Sequence, residues 1–111
     1  MKLRQLEATF LRLAEVPGMF RFVDELAGAD GIKFLCPKCF AENGGRVGTH
    51  SVICWFKGRV PDDLRPGPGR WNPSGTGIDD LTFVGPGAVS VLLTSGCNWH
   101  GFVRNGETVD A

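Results

Sequence analysis

The sequence predicts a small α+β domain, mostly antiparallel β with one short helix, held by a zinc-ribbon-like pair of knuckles. Three observations predict it. Short runs of β-forming residues recur between turn signals: IKFLC at 32–36, HSVICWF at 50–56 and AVSVLLT at 88–94. The pairs CPKC (36–39) and CNWH (97–100) each follow such a run, with two residues between the potential ligands. Sixteen Gly and seven Pro among 111 residues predict many turns and a thin core, which a metal staple reinforces.

Length favours one domain over residues 1–111. Hydrophobic residues at 42% and charged residues at 22% exclude wholesale disorder and fibrous repeats. Twelve Lys and Arg balance twelve Asp and Glu, so non-specific attraction to nucleic acid or to an anionic membrane is not expected. Arg4, Glu7, Arg12 and Glu15 interrupt the apolar residues of MKLRQLEATFLRLAEV, unlike a signal peptide, and no run is long enough to span a membrane. The expected location is the cytoplasm, where four cysteines serve as metal ligands, reactive thiols or small buried side chains rather than disulfides.

Along the chain, Leu3, Leu6, Phe10 and Leu13 fit one helical face, whereas Thr9 to Leu13 fits a strand; the turn signal Pro17-Gly18 favours the strand. FRFVDELAGAD predicts the short helix, over Val23 to Ala29, ended by Asp30-Gly31. Ile32 to Cys36 is a strand that delivers the first cysteine pair, ENGG at 42–45 is a turn, and His50 to Phe56 is a central strand. Nine of the twenty residues from Gly58 to Gly77 are Gly or Pro, a composition that forbids helix and ladder over most of that length and makes a long loop with Trp71 as its pin. Thr76 and Asp79 have capping-box-like spacing ahead of a strand from Leu81 to Val84. Ala88 to Thr94 is the strongest strand, and Asn105-Gly106 between Phe102-Val103-Arg104 and Thr108-Val109 marks a hairpin.

Two residues between ligands let the chain turn tightly enough for both side chains to reach one ion. Main-chain N–H groups in such a turn also stabilise thiolate charge. Cys36, Cys39, Cys97 and His100 therefore make a Cys₃His set suited to tetrahedral Zn²⁺ in a structural role. A thiol redox pair at CPKC competes with this reading; it requires the motif to open a helix in a βαβ setting, and FAENGG turns away soon after. His50 and Cys54 fall on the same face of their strand as Val52 and Phe56, so either is a substitute ligand. Packing reads Cys54 as core and His50 as a polar residue at the strand's end.

There is no HExxH, no Walker motif and no His-x-Glu half of a zinc deaminase. A small zinc-dependent hydrolase would use His50 or Asp79 as base and would need an open coordination position, which four protein ligands deny. Asp62-Asp63 and Asp79-Asp80 read as a solvated loop and a helix start rather than a cation site. Lys57, Arg59, Arg65 and Arg70 with Trp55 and Trp71 offer a modest surface for single-stranded nucleic acid, interrupted by Asp62 and Asp63.

The stretches FLCPKCF, RWNPSGTGIDDLTF and GCNWHGFVRNGE resemble a family of small uncharacterised phage and prophage proteins classed as a domain of unknown function. The likeness covers roughly the C-terminal three quarters of the chain. CxWHG followed by NGE is its most specific part. It implies Cys36, Cys39, Cys97 and His100 as the matching ligand positions, and a phage origin; it implies no activity. Phe40 departs from the Gly that zinc knuckles often carry after the first pair. The resulting expectation is a zinc-stabilised phage accessory module of the host cytoplasm, which recognises a protein partner through the 57–77 loop, with a small zinc-dependent hydrolase or a single-stranded nucleic-acid-binding protein as the alternatives.

Overall fold

The apolar segment TFLRL, buried on both faces at Phe10 and Leu11, and the β-rich runs IKFL and SVICW build the first sheet of the computed structural model, which describes residues 1–15, 19–87, 89–94 and 96–111. Its strands are β1 (Thr9–Leu13), β2 (Phe20–Val23), β3 (Gly31–Leu35) and β4 (Ser51–Trp55), in the antiparallel order β2-β1-β3-β4. Phe10, Ile32 and Cys54 stand in one row across β1, β3 and β4, and Phe34 faces Val52 in the next. All five side chains are buried, as are Leu3 and Leu6 of the 3-10 turn that precedes β1. Removing one such aromatic or aliphatic side chain from water stabilises the fold by about 1.5–3 kcal/mol.

Two smaller antiparallel sheets close the other side of this core. One pairs β5 (Asn72–Ser74) with β6 (Thr82–Val84); the other has the order β7-β8-β9, from Ser90–Leu92, His100–Arg104 and Glu107–Asp110. Leu81, Phe83, Val91, Trp99 and Val103 supply their inner faces. Asn105 and Gly106 join β8 to β9 with φ of 49° and 74°, the two positive angles of a type I′ turn. A side chain at 106 would also run into the Asp79 carbonyl, so glycine is required there twice over.

The single α-helix among the described residues lies elsewhere than expected. Phe20 to Val23 alternates and is taken up by β1, which leaves only a 3-10 turn at Leu26–Gly28 before the next strand. The helix, α1, is Pro37–Asn43 and contains most of the CPKC motif and of FAENGG. Pro37 at its first turn has the φ a helix needs and no N–H to orphan, and Gly44 ends it with an N–H donated to the Phe40 carbonyl. The strand expected over 88–94 is confined to Ser90–Leu92, and Ala88, like the turn expected at Pro17-Gly18, lies outside the described residues.

The Gly/Pro-rich loop is tied down from within. Arg70 donates to the carbonyls of Pro61, Leu64, Pro66 and Gly69 at 2.8–3.1 Å, and Trp55 Nε1 donates to the Arg65 carbonyl at 3.0 Å. Trp71 pins its far end, stacked on Phe83 at 5.7 Å between centroids and donating to the Ser90 carbonyl at 2.9 Å. From Asn72 the expected loop becomes β5 instead, because the chain can reach β6 there as a short edge ladder that tolerates Pro73. No helix among the described residues is long and apolar enough to cross a membrane.

Candidate metal centre

Three chain segments meet where the first sheet faces β8. β3 ends at Leu35, and Cys36 occupies the N-cap position of α1 with Cys39 one turn on. Pairing of Leu35 with Ser51, extended by one residue, sets Cys36 opposite His50, and the Cys36 N–H donates to the His50 carbonyl at 2.9 Å. Cys97 comes from the β7–β8 connection. That connection is held against α1 by Lys38 Nζ, which donates to the Cys97 carbonyl at 2.8 Å, and against β3 by Trp99, which packs edge-on to Phe34.

The outcome is a cluster of Cys36, Cys39, His50 and Cys97 whose ligand atoms all lie within 4.8 Å of one another, close enough to hold a metal ion. Cys36 Sγ and Cys97 Sγ are 3.4 Å apart, and His50 Nε2 is 3.3 Å from Cys97 Sγ. The three expected sulfurs converge, but the imidazole beside them is that of His50, not His100. The reason is the parity of β8. Trp99, Gly101 and Val103 point into the core, and a side chain at 101 would run into the Trp99 indole and the Val109 carbonyl. His100 is thereby turned outward, exposed opposite Leu92 and 6.4 Å from the Phe102 ring. Sequence alone holds one signal for His50: it shares the parity of Val52 and Cys54, and it begins a strand whose hairpin partner ends in Cys36.

The electrostatics are graded across the cluster. Burial pushes the Cys36 thiol up to about 12, and burial followed by the hydrogen bond to Cys97 raises that of Cys39. Burial opposes ionisation of Cys97 as well. Hydrogen bonds from His50, Cys36, the Trp99 main chain and Cys39 outweigh it and bring the Cys97 thiol down to about 7. Cys97 is therefore the most readily ionised of the three clustered thiols, and the four side chains form a donor set that a divalent cation satisfies by displacing the protons.

Cys54 stays out of the cluster: it is fully buried between Ile32 and its β4 neighbours, and burial holds its thiol far above the ordinary value. CPKC opens a helix, contrary to the expectation, yet β3 and β4 around it are antiparallel, so the βαβ setting of a redox pair is missing. Asp79 is paired with Arg4, and it lines a groove with Thr9, Asp24 and Asp80 that includes none of the four donors. A groove of about 510 Å³ beside α1, lined by Met1, Pro37, Lys38, Ala41, Glu42, Thr108 and Asp110, likewise includes none of the four. Asp80, rather than Asp79, caps the turn before β6, accepting from the N–H groups of Thr76 and Gly77 at 2.8–3.0 Å.

Of the basic and aromatic residues of the loop, Arg70 is spent on internal carbonyls, and Arg59 on those of Leu26 and Ala29. Trp55 is buried and Trp71 is stacked on Phe83, which leaves Lys57 and Arg65 exposed without an indole surface. Set against family models, curated proteins and solved structures, the chain matches none of them.

Proposed function

We propose that the protein is a zinc-stapled binding module in which the ion is structural and the surrounding surface recognises a protein partner. The observation that carries this reading is the convergence of four protein donors, three sulfurs and one imidazole, from three separate chain segments. Zinc bonds of about 2.3 Å to sulfur and about 2.0–2.1 Å to nitrogen, placed tetrahedrally, separate donors by about 3.5–3.8 Å. The 3.4 Å between Cys36 and Cys97 sulfurs and the 3.3 Å from His50 Nε2 to Cys97 lie just inside that spacing, and the full set stays within 4.8 Å, so side-chain adjustments of the order of an ångström admit the ion. Iron is the less natural occupant of a site with one imidazole.

Four protein donors leave zinc no open position for water, which is what a hydrolytic zinc would need. Resemblance of the CPKC and CNWHG segments to small phage and prophage proteins adds the biological setting, an accessory protein working in the cytoplasm of a bacterial host. Metal analysis of natively purified protein tests the reading: one zinc per chain, retained through dialysis and absent from Cys97→Ser, is expected. A folded chain that carries no metal, or zinc-dependent turnover of an ester or phosphodiester, would overturn it.

A further inference from the structure

β2 forms one edge of the first sheet, and nothing among the described residues pairs with its outer side. The N–H of Ala14 donates to the Met19 carbonyl at 3.0 Å, which sets the phase of the β1–β2 ladder. With residues 14 and 19 hydrogen-bonded, alternation makes Arg12 and Arg21 the next bonded pair. The N–H and C=O groups of Phe20 and Phe22 accordingly point away from β1. Their side chains share one face of the ribbon, 5.9 Å apart edge to face, with Phe22 64% exposed.

On the opposite face Arg12 stands directly across from Arg21, both exposed. Like charges in that position repel. The ion pairs found among the described residues, Arg4 with Asp79 and Arg46 with Glu7, do not neutralise them. Solitary edges are blunted by short length, charge, proline or a bulge, and β2, four residues with an exposed Arg21, is guarded in the first two ways against indiscriminate pairing. It still offers outward main-chain groups, two phenyl rings on one face and an uncompensated guanidinium pair on the other, which suits only a strand of complementary charge.

We propose that the β2 edge takes up an extended peptide strand of a partner protein, in which one acidic residue is flanked on each side by an apolar one. In that register the carboxylate completes the row Arg12–Arg21, and its neighbours lie beside Phe20 and Phe22 on the other face. Main-chain hydrogen bonds supply affinity and the alternating side chains supply selectivity. A second copy of this chain fits less well, because self-pairing centred on Arg21 adds two more guanidinium groups to the row. Single-stranded nucleic acid fits less well too, since a strand whose phosphates meet the arginines has its bases on the wrong face to stack on the phenyl rings. This inference rests on the reading of the protein as a binding module, and it places recognition at β2 instead of the 57–77 loop.

The test is selection of a random-peptide display library on the zinc-loaded protein, followed by binding of the enriched peptides in synthetic form. Enrichment of apolar–acidic–apolar sequences is expected, with amide NMR shifts centred on Phe20 and Phe22. Arg21→Glu should weaken binding about tenfold or more, and replacing the peptide's acidic residue by Lys should restore binding to that variant. Both arginines are exposed, so Arg21→Glu should keep the zinc content and unfolding temperature of the parent. Failure to enrich, enrichment without an acidic residue, shifts confined to another surface, dimerisation through β2, or displacement of the peptide by a single-stranded oligonucleotide would each overturn the proposal. A zinc-free folded protein that still selects such peptides would overturn the metal reading alone.

Discussion

His50 Nε2 lies 3.3 Å from Cys97 Sγ across a separation of 47 residues, so the two ends of a long Gly/Pro-rich excursion are brought to one point. Structural zinc in small peptides contributes apparent binding energies of about 10–16 kcal/mol, as large as the roughly 5–15 kcal/mol net stability of a whole domain. With zinc as the proposed occupant, folding and metal binding would be one transition. Cys97→Ser and His50→Ala are expected to lose stoichiometric zinc and to aggregate or be proteolysed, whereas His100→Ala keeps the metal and the fold. Metal content and far-UV circular dichroism of the three variants check this, and the reverse order for the two histidines would assign the imidazole to residue 100.

Cys54→Ser separates a core thiol from a ligand thiol. The serine hydroxyl would replace a sulfur that is fully buried among apolar side chains, and an unpaired hydroxyl there costs about 1–3 kcal/mol. The variant should bind one zinc and unfold several degrees lower; thermal unfolding with metal analysis measures both, and loss of zinc would show that Cys54 belongs to the centre.

Asp80 gives a pH dependence with a definite sign. N–H groups of Gly77 and Thr76 and the Thr76 hydroxyl stabilise its carboxylate and hold its pKa below the ordinary value of 3.8. A group depressed in the folded state contributes stability that is complete above its unfolded pKa and fades as pH falls through the folded one. Wild type should therefore exceed Asp80→Asn in stability at neutral pH, with the gap closing below about pH 4. Acid also weakens metal binding by protonating the thiolates, so the carboxyl is followed directly, by its own NMR titration down to the pH at which the fold is lost. An Asp80 midpoint at or above the ordinary 3.8 would contradict the assignment.

Arg70→Lys should loosen the loop without touching the centre. A guanidinium reaches several carbonyls at once, and an ammonium with three donors on a flexible stem does not reproduce the fork. The expected cost is about 2 kcal/mol, with new cleavage sites between residues 59 and 70 under limited proteolysis and unchanged zinc content. Unaltered cleavage would mean that Trp55 and Trp71 suffice to hold the loop.

The parts legible in the sequence were those set by neighbours along the chain. Asn105-Gly106 encodes its own turn, the β-forming run IKFL stands between turn signals, and Cys36-x-x-Cys39 is a local geometry. What depended on pairing between distant segments was not legible. FRFV has residues that suit either helix or strand, and the unoccupied side of β1 decided in favour of β2. His50 became a neighbour of Cys36 through the register of β3 and β4, a property of neither strand alone. Arg70 leaves no mark in the sequence because its acceptors are main-chain carbonyls, which every residue carries.

Because Cys36, Cys39 and His50 all belong to the β3–α1–β4 hairpin, while Cys97 arrives from the β7–β8 connection, the centre has a built-in order of assembly during synthesis. Emerging from the ribosome, the hairpin presents a three-donor half-site long before the last thiolate exists. On the proposed reading, an ion would meet only three protein donors there until Cys97 completes the set. Docking of the β7–β8 connection on α1 would then be the step that turns a weak half-site into a closed one.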